Sequence, residues 1–430
     1  MSNYQLDITN YKAIHRASIQ LSGITVLAGQ NGSGKSTISR WVYYLLRSLA
    51  EYKLHAFLFY KEEVLRLLNK ISYSANDIKM SNLLRHAIAQ GIATVKQPTV
   101  EQDFAAQAAK IHEVCLRICL DFASEMMNNS QNTEAEIHRV FSYLGADNSH
   151  PLGQQLASQF EKLHVELEYN LEDKQRSLID RTIYAHFHEL EPIPQQMTLQ
   201  EDGVVVYDGN IIKALFHNHA AFYINTPMAI GLSDAIDSST WAFFNHALTQ
   251  DSIDSPQTPQ CDIIKQYIAA LLGGAFTNEK DKIGQQHLIF NSASGTKIAV
   301  EQVATGYKTL AYLQRLLDVG ALSASSTLII DEPEAHLHPQ WIVEVANLLV
   351  MINKLLGTRI LIASHNPDMV SAIRYISERQ GTLAQTRFYL AKRVEGSEQY
   401  DYLDLNHDIE PVFETFNKSF DLIDHYANIE

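Results

Sequence analysis

Four short stretches of this chain carry residue types whose spacing could do phosphate chemistry. Gly29–Ser36 reads GQNGSGKS and fits GxxxxGK[ST] in full. So glycine-rich a loop lets backbone N–H groups turn inward around an anion, and a helix beginning behind it adds the positive end of its dipole. Gly29, Asn31, Gly32, Ser33, Gly34, Lys35, Ser36 and Thr37 would line that cradle. Lys35 would reach the β- and γ-phosphates of ATP, and the Ser36 hydroxyl would ligate Mg2+. The second stretch, TLIIDEPEAHLHP over Thr327–Pro339, delivers two adjacent carboxylates at the end of an apolar run. There Asp331 would hold Mg2+ and Glu332 would orient or deprotonate an attacking water; capping of the next helix is the plainer use of such a pair. The third, RILIASHNPD, ends another apolar run at His365, a catalytic position or an ordinary strand-end histidine. In the fourth, VATGYKTLAYLQRLL, Thr305 and Gly306 open an amphipathic helix and could offer a hydroxyl and N–H groups to an anion.

Each stretch needs elements to position it, and the apolar periodicity supplies them. ITVLA before the loop reads as a buried strand, and the residues after it form a helix with Trp41, Leu45 and Leu49 inward. From about 50 to 180 the pattern is helical, with FAAQAAKIHEVCLRICLDFASEMM as one long helix. Leu156, Phe160, Leu163, Leu167 and Leu171 are spaced near-heptad, as in a short coiled-coil arm or an ordinary packing helix. Between about 180 and 225 the period shifts toward strands: TIYAHFHEL, GVVVYD and AAFYIN. TQDSIDSPQTPQ reads as an exposed loop, CDIIKQYIAALLGG as a helix and HLIFNSASGTKIAV as a hairpin. The last third alternates helix from Glu301, strand TLIID, helix from Pro339, strand RILIAS, helix from Pro367 and TRFYLAKRV. That alternation predicts a parallel sheet with helices on its faces.

The 430 residues are enough for two or three domains, and 46% hydrophobic with 19% charged residues is an ordinary globular balance. A net charge of −15 disfavours indiscriminate attraction to nucleic acid but leaves room for a local basic groove. No run of about 18 apolar residues appears, so no membrane span is expected. Cys115, Cys119 and Cys261 form no CxxC pair and read as core residues rather than a redox or metal site. With no apolar leader in the opening residues, they fit a cytoplasmic protein. His186/His188 and His217/His219 stand at strand spacing without a carboxylate or cysteine at fitting sequence spacing, and read as structural. His336 and His338 more plausibly shape the loop after Glu332 than bind metal.

With these motifs placed, the chain resembles the ABC-type ATPases of the SMC, RecF and OLD group, over residues 1–50 and about 285–395. DEPEAHLHP is similar to the RecF/OLD branch, and VATGYK departs from the LSGGQ signature of transporters. The resemblance implies an α/β P-loop NTPase with an ABC-type head and mixed sheet, split into 1–50 and 285–430. It also implies a mainly helical insertion at 51–180, with 181–284 continuing head or insertion. It makes Glu332, His365 and Lys35 catalytic, His365 as the γ-phosphate switch, and Ser36 and Asp331 the Mg2+ residues. Thr305 and Gly306 become a signature that completes the site of a second copy. Lys12 in NYKAI is a further candidate phosphate contact; no glutamine stands out as the family's glutamine loop.

The resemblance implies a head-to-tail homodimer or higher even-numbered oligomer. Its likeness to AAA-type ATPase subunits of anti-phage defence systems of the Septu kind implies a partner nuclease or toxin. Residues 366–430 show no Toprim, HNH or zinc pattern, which places such an effector on another polypeptide. Contact with nucleic acid would then be indirect. The alternative is a RecF/SMC-like repair ATPase that clamps DNA in its ATP-bound dimer; a transporter subunit fits least.

Overall fold

The computed structural model describes residues 3–97, 99, 103–147, 149–186, 192–217, 220–225, 258–280, 286–414 and 426. Its contacts cluster into two units, Met1–Ala50 with Asp180–Glu430, and Glu51–Ile179.

The first unit is built on a ten-stranded sheet. Strands β1 (Tyr4–Tyr11) and β2 (Ile14–Leu21) form a hairpin with alternating burial, and β3 (Ile24–Ala28) is buried at all five residues. Helix α1 (Lys35–Ala50) follows, then, later in the chain, β4 (Met197–Glu201), β5 (Val204–Tyr207) and β6 (Ala220–Ile224). The C-terminal part adds β10 (Ser326–Asp331), β11 (Arg359–Ser364), β12 (Thr386–Arg393) and β13 (Tyr400–Asp404). The order across the sheet is β5-β4-β1-β2-β13-β12-β3-β11-β10-β6. From β12 to β6 the five neighbouring strands run parallel; the opposite end is largely antiparallel. The continuous apolar runs of β3, β10 and β11 suit strands covered on both faces, and all three are buried throughout.

The helices predicted after these strands form and are sharply bounded. Pro339 opens α10 (Pro339–Leu356) behind the His338 side-chain cap, and Gly357 ends it in the left-handed region. Pro367 opens α11 (Pro367–Gln380) behind Asn366. A small antiparallel sheet holds β7 (Gly274–Lys280), β8 (Gln286–Ser292) and β9 (Lys297–Ala299), preceded by α8 (Pro259–Leu272). Helix α9 spans Thr305–Asp318 rather than starting at Glu301: a 3-10 turn covers Val300–Gln302, and Ala304 has extended backbone at the cap.

The second unit is helical: α2 (Tyr52–Asp77), α3 (Asn82–Lys96), α4 (Phe104–Asn128), α5 (Glu134–Leu144) and α6 (Leu152–Glu172). The near-heptad stripe of α6 is spent on packing inside this unit, against α2 and α4, with Leu156, Phe160 and Leu167 buried. It is therefore a packing helix. Cys115 and Cys119 are buried free thiols on α4, and burial pushes Cys115 up to about 12, which makes it unreactive.

TIYAHFHEL is not a strand where it is described. Helix α7 covers Arg176–His186, and Leu178, Ile179, Thr182 and Ile183 are buried in pairs four apart, a helical rather than a two-residue period. His188, His219 and most of TQDSIDSPQTPQ lie outside the described residues. Among the described residues no helix is long and apolar enough to cross a membrane.

Candidate functional site

The parallel register fixes what meets at the C-terminal edge of the sheet. Ala28 on β3 pairs with Ser364 on β11, and Ala363 pairs with Asp331 on β10. The phosphate loop, His365 and the Asp331–Glu332 pair therefore leave three adjacent strands at one level. β3 and β10 stand two strand spacings apart, about 10 Å, with β11 between them.

The loop after β3 is tightly held. Ser33 Oγ donates to Gln30 O at 2.8 Å, and the buried Tyr402 hydroxyl on β13 donates to Ser33 O at 3.1 Å. Gly34 has φ +95°, and a Cβ there would lie 2.9 Å from Ile14 Cγ1, so the β1–β2 turn presses on the loop where only glycine fits. Lys35 is 6% exposed, and its Nζ donates to Gly29 O and Gln30 O, both at 2.8 Å. Burial holds its ammonium below the usual lysine range, while Glu332, Asp331 and Glu334 pull it back up. Lys12, with φ +50°, sits in the β1–β2 turn, its ammonium over the Tyr11 ring at 5.3 Å.

Asp331 ends β10 and is 3% exposed. Its Oδ2 accepts from Tyr223 Oη at 2.8 Å, whereas Oδ1 is buried with no well-formed hydrogen bond among the described residues. Burial raises its carboxyl above the usual range, eased by the hydroxyls of Ser39, Tyr223 and Ser36. An orphaned carboxylate oxygen beside the Ser36 hydroxyl is the donor set a hard divalent cation takes, so these residues fit Mg2+. Tyr223 itself is pushed up by burial and by Asp331.

Glu332 stands at φ +51°, a region that costs a non-glycine residue about 1–3 kcal/mol. Its N–H donates to Ala363 O at 2.8 Å and its carbonyl accepts from Ala335 N, so both flanks enforce the turn. The side chain is 43% exposed, and its Oε1 lies 3.3 Å from His365 Nδ1. Two residues on, Glu334 is nearly fully buried and takes Ser364 Oγ on Oε1 at 2.6 Å.

The structure thus brings Lys35, Asp331, Glu332 and His365 together. Thr305 and Gly306 it places in the first turn of α9, where a Cβ on Gly306 would lie 2.4 Å from Leu337 Cδ2. His336 is exposed with φ +62°, and His338 caps α10. His217 does meet a carboxylate after all: its Nδ1 is 3.0 Å from Oε1 of the fully buried Glu201, brought close by folding across 16 residues. With Asp202 these form the cation-capable cluster found among the described residues, and Tyr4 Oη and Phe216 N already donate to Glu201.

Glu334, Tyr223 and Tyr402 escaped the reading of motifs. Glu334 had a signal, a second acid in DEPE just past the strand; Tyr223 lies inside the apolar run AAFYI and Tyr402 in the alternating YDYLD, with nothing in either to mark the hydroxyl.

Residues 1–202 match the family described as AAA ATPase domain, and residues 242–371 match the AAA domain, putative AbiEii toxin, Type IV TA system. No curated protein matches the chain. Among solved structures it is similar to the Pyrococcus furiosus Smc head domain with an extended coiled coil, bound to the C-terminal domain of ScpA. That pair shares 11% identity over 97% of this chain and 99% of the other, with TM-score 0.37. The SMC head domain from Thermotoga maritima shares 10% over 94% and 99%, TM-score 0.36. An ATP-binding cassette of an ABC transporter in its ADP conformation shares 11% over 97% and 98%, TM-score 0.37. One match to an ATPase-domain family takes in the phosphate loop and the other takes in Asp331, Glu332 and His365, and the chain assembles these groups on adjacent parallel strands of a mixed α/β fold, as in a P-loop ATPase.

Proposed function

We propose that the protein hydrolyses ATP with Mg2+ in a head-to-tail dimer, and that the ATP state of the dimer regulates a separately encoded nuclease or toxin in a defence complex. The observation that carries the hydrolytic part is the meeting of Lys35, Asp331, Glu332 and His365 at one sheet edge. The N–H groups of Gly32–Ser36 wrap the phosphates, and Lys35 swings its ammonium from the loop carbonyls to the β- and γ-oxygens. Ser36 and Asp331 would hold Mg2+, which when bound would supply positive charge to offset that of the phosphates. Glu332 accepts a hydrogen bond from the attacking water and sets it in line with the γ-phosphorus, and His365 faces the same carboxylate. Positioning and charge are most of what phosphoryl transfer asks of a protein. Thr305 and Gly306 at the first turn of α9 are offered to the γ-phosphate of the partner copy. The regulatory part is supported by DEPEAHLHP and by the match to a family described as a putative AbiEii toxin.

The test measures nucleotide turnover and native mass together. Lys35→Ala is expected to abolish nucleotide binding. Glu332→Gln is expected to keep binding, lose about 10²–10³-fold in turnover, and accumulate an ATP-bound dimer. Wild-type turnover in Glu332→Gln would remove that residue from the mechanism. Purification with the genomic neighbours, with and without ATP, tests the effector. A co-purifying nuclease or toxin rearranged by nucleotide supports it, and a bare dimer that gains DNA affinity only with ATP moves the assignment to a DNA-clamping repair ATPase.

A further inference from the structure

Glu334 has no part in the mechanism so far, yet its placement is among the most constrained in the site. Its side chain is 2% exposed, in the turn between β10 and α10. Among the described residues, its Oε1 is held from the end of β11. Ser364 Oγ donates at 2.6 Å, the His365 backbone N–H donates at 3.2 Å, and His365 Nδ1 lies 3.7 Å away. Oε2 is buried without a hydrogen-bond partner among the described residues. Burial raises this carboxyl above the ordinary glutamate range.

A carboxylate so withdrawn from water is costly, and an apolar side chain would close the same turn more cheaply. What an apolar residue could not do is accept two donors from a neighbouring strand and face an imidazole. His365 Nδ1 stands between two carboxylates of unlike freedom. Glu332 is half-exposed and can turn toward solvent or substrate, while Glu334 is fixed by its surroundings.

We infer that Glu334 is the positioning residue of the phosphate site: it fixes the backbone and ring of His365 relative to Glu332, tying the loop after β11 to the loop after β10. The inference rests on the reading that Glu332 and His365 act on ATP. It assigns Glu334 no contact with nucleotide. Beyond the pull of its charge on Lys35, its effect passes through His365, and misplacement of a reacting group by about 1 Å can cost about 10²-fold in rate.

The experiment is a double-mutant cycle on the full chain: wild type, Glu334→Gln, His365→Ala and both together, measured for steady-state ATPase and for binding of a fluorescent ATP analogue. Glutamine keeps the shape and one acceptor oxygen but removes the charge facing the imidazole. The expected result is a fall in kcat of about 10–100-fold with KM and analogue affinity within about twofold of wild type. In the His365→Ala background the same substitution is expected to change kcat by less than about twofold. An equal loss in both backgrounds, or an unchanged kcat in Glu334→Gln, overturns the inference. So does a His365→Ala variant with wild-type kcat. If Glu334→Gln melts early, Ser364→Ala, which removes the 2.6 Å donor, takes its place in the cycle with the same expected and overturning results. A wild-type protein without ATPase activity, or a Lys35→Ala variant that retains it, overturns the hydrolytic reading and this inference with it. A dead Lys35→Ala with an additive cycle overturns this inference alone.

Discussion

Replacing Asp331 by asparagine should make the nucleotide-free protein harder to unfold while ending its chemistry. Among the described residues, Asp331, 3% exposed, receives one clear hydrogen bond, from Tyr223 at 2.8 Å, and leaves Oδ1 without a good partner. Its carboxyl is raised above the ordinary range even with Ser39, Tyr223, Ser36 and Arg40 favouring the charge, so burial wins over all of them. Asparagine has the same shape and no charge. Its carbonyl oxygen can still accept from Tyr223, and its NH2 can donate to the hydroxyls of Ser36 or Ser39. Relief of a buried, under-paired charge is worth about 1–3 kcal/mol, which for a unit of this size is about 2–6 °C in Tm. Thermal melts without nucleotide or Mg2+ should show that rise. With Mg2+ and ATP the order should reverse, because wild type gains the binding free energy and the variant does not. ATPase activity should fall at least about 10²-fold. A variant that melts below wild type in the absence of ligand would refute the reasoning, since the charge would then be net stabilising where it sits.

Two further outcomes follow from the packing. Gly306→Ala should cost about 1 kcal/mol through the 2.4 Å approach to Leu337, and Leu337→Ala in the same chain should restore the melting temperature. ATPase activity should stay low in that double variant; recovery to the wild-type rate would limit Gly306 to intrachain packing. In the helical unit, His112 and His164 stack at 4.3 Å and 6°, with Glu161 2.9 Å from His112 and Glu168 3.6 Å from His164. Burial and then His112 hold the His164 imidazole below its usual range, against the pull of Glu168 and Glu161. A depressed imidazole binds its proton less readily folded than unfolded, so the stability present above the ordinary histidine pKa of about 6.5 is lost as pH falls from there through the lowered value of the folded state. Urea melts across that window should show the loss, and His164→Gln should flatten it; an unchanged slope would dismiss the pair as its origin.

The sequence made plain those parts of the site that are local. A phosphate loop is a strand, a run of glycines and a helix start within a dozen residues, and Asp331–Glu332 and His365 each close an apolar run. Strand and helix spans in the last third are legible for the same reason: apolar runs of five or six residues end at Pro, Gly or a capping residue. What could not be read is whatever depends on register between distant strands. Tyr223 reaches Asp331 across 108 residues because β6 lies beside β10, and Glu334 reaches Ser364 across 30 because β11 does. α7 misled because TIYAHF is rich in β-formers, yet Leu178, Ile179, Thr182 and Ile183 share a helical face that outweighs local propensity. The glutamate–histidine contact at Glu201 and His217 was hidden similarly, its members brought together by the fold of the sheet edge.

The turn that presents Glu332 carries a consequence for how this protein would drift under selection. A backbone at φ +51° suits glycine or asparagine better than glutamate, so the easiest route to a hardier fold at that position passes through substitutions that delete the carboxylate proposed to orient water. A library bred for heat tolerance alone should therefore lose turnover at position 332 early, while keeping its affinity for nucleotide. Glutamate at that position marks a place where use and endurance pull the same residue in opposite directions.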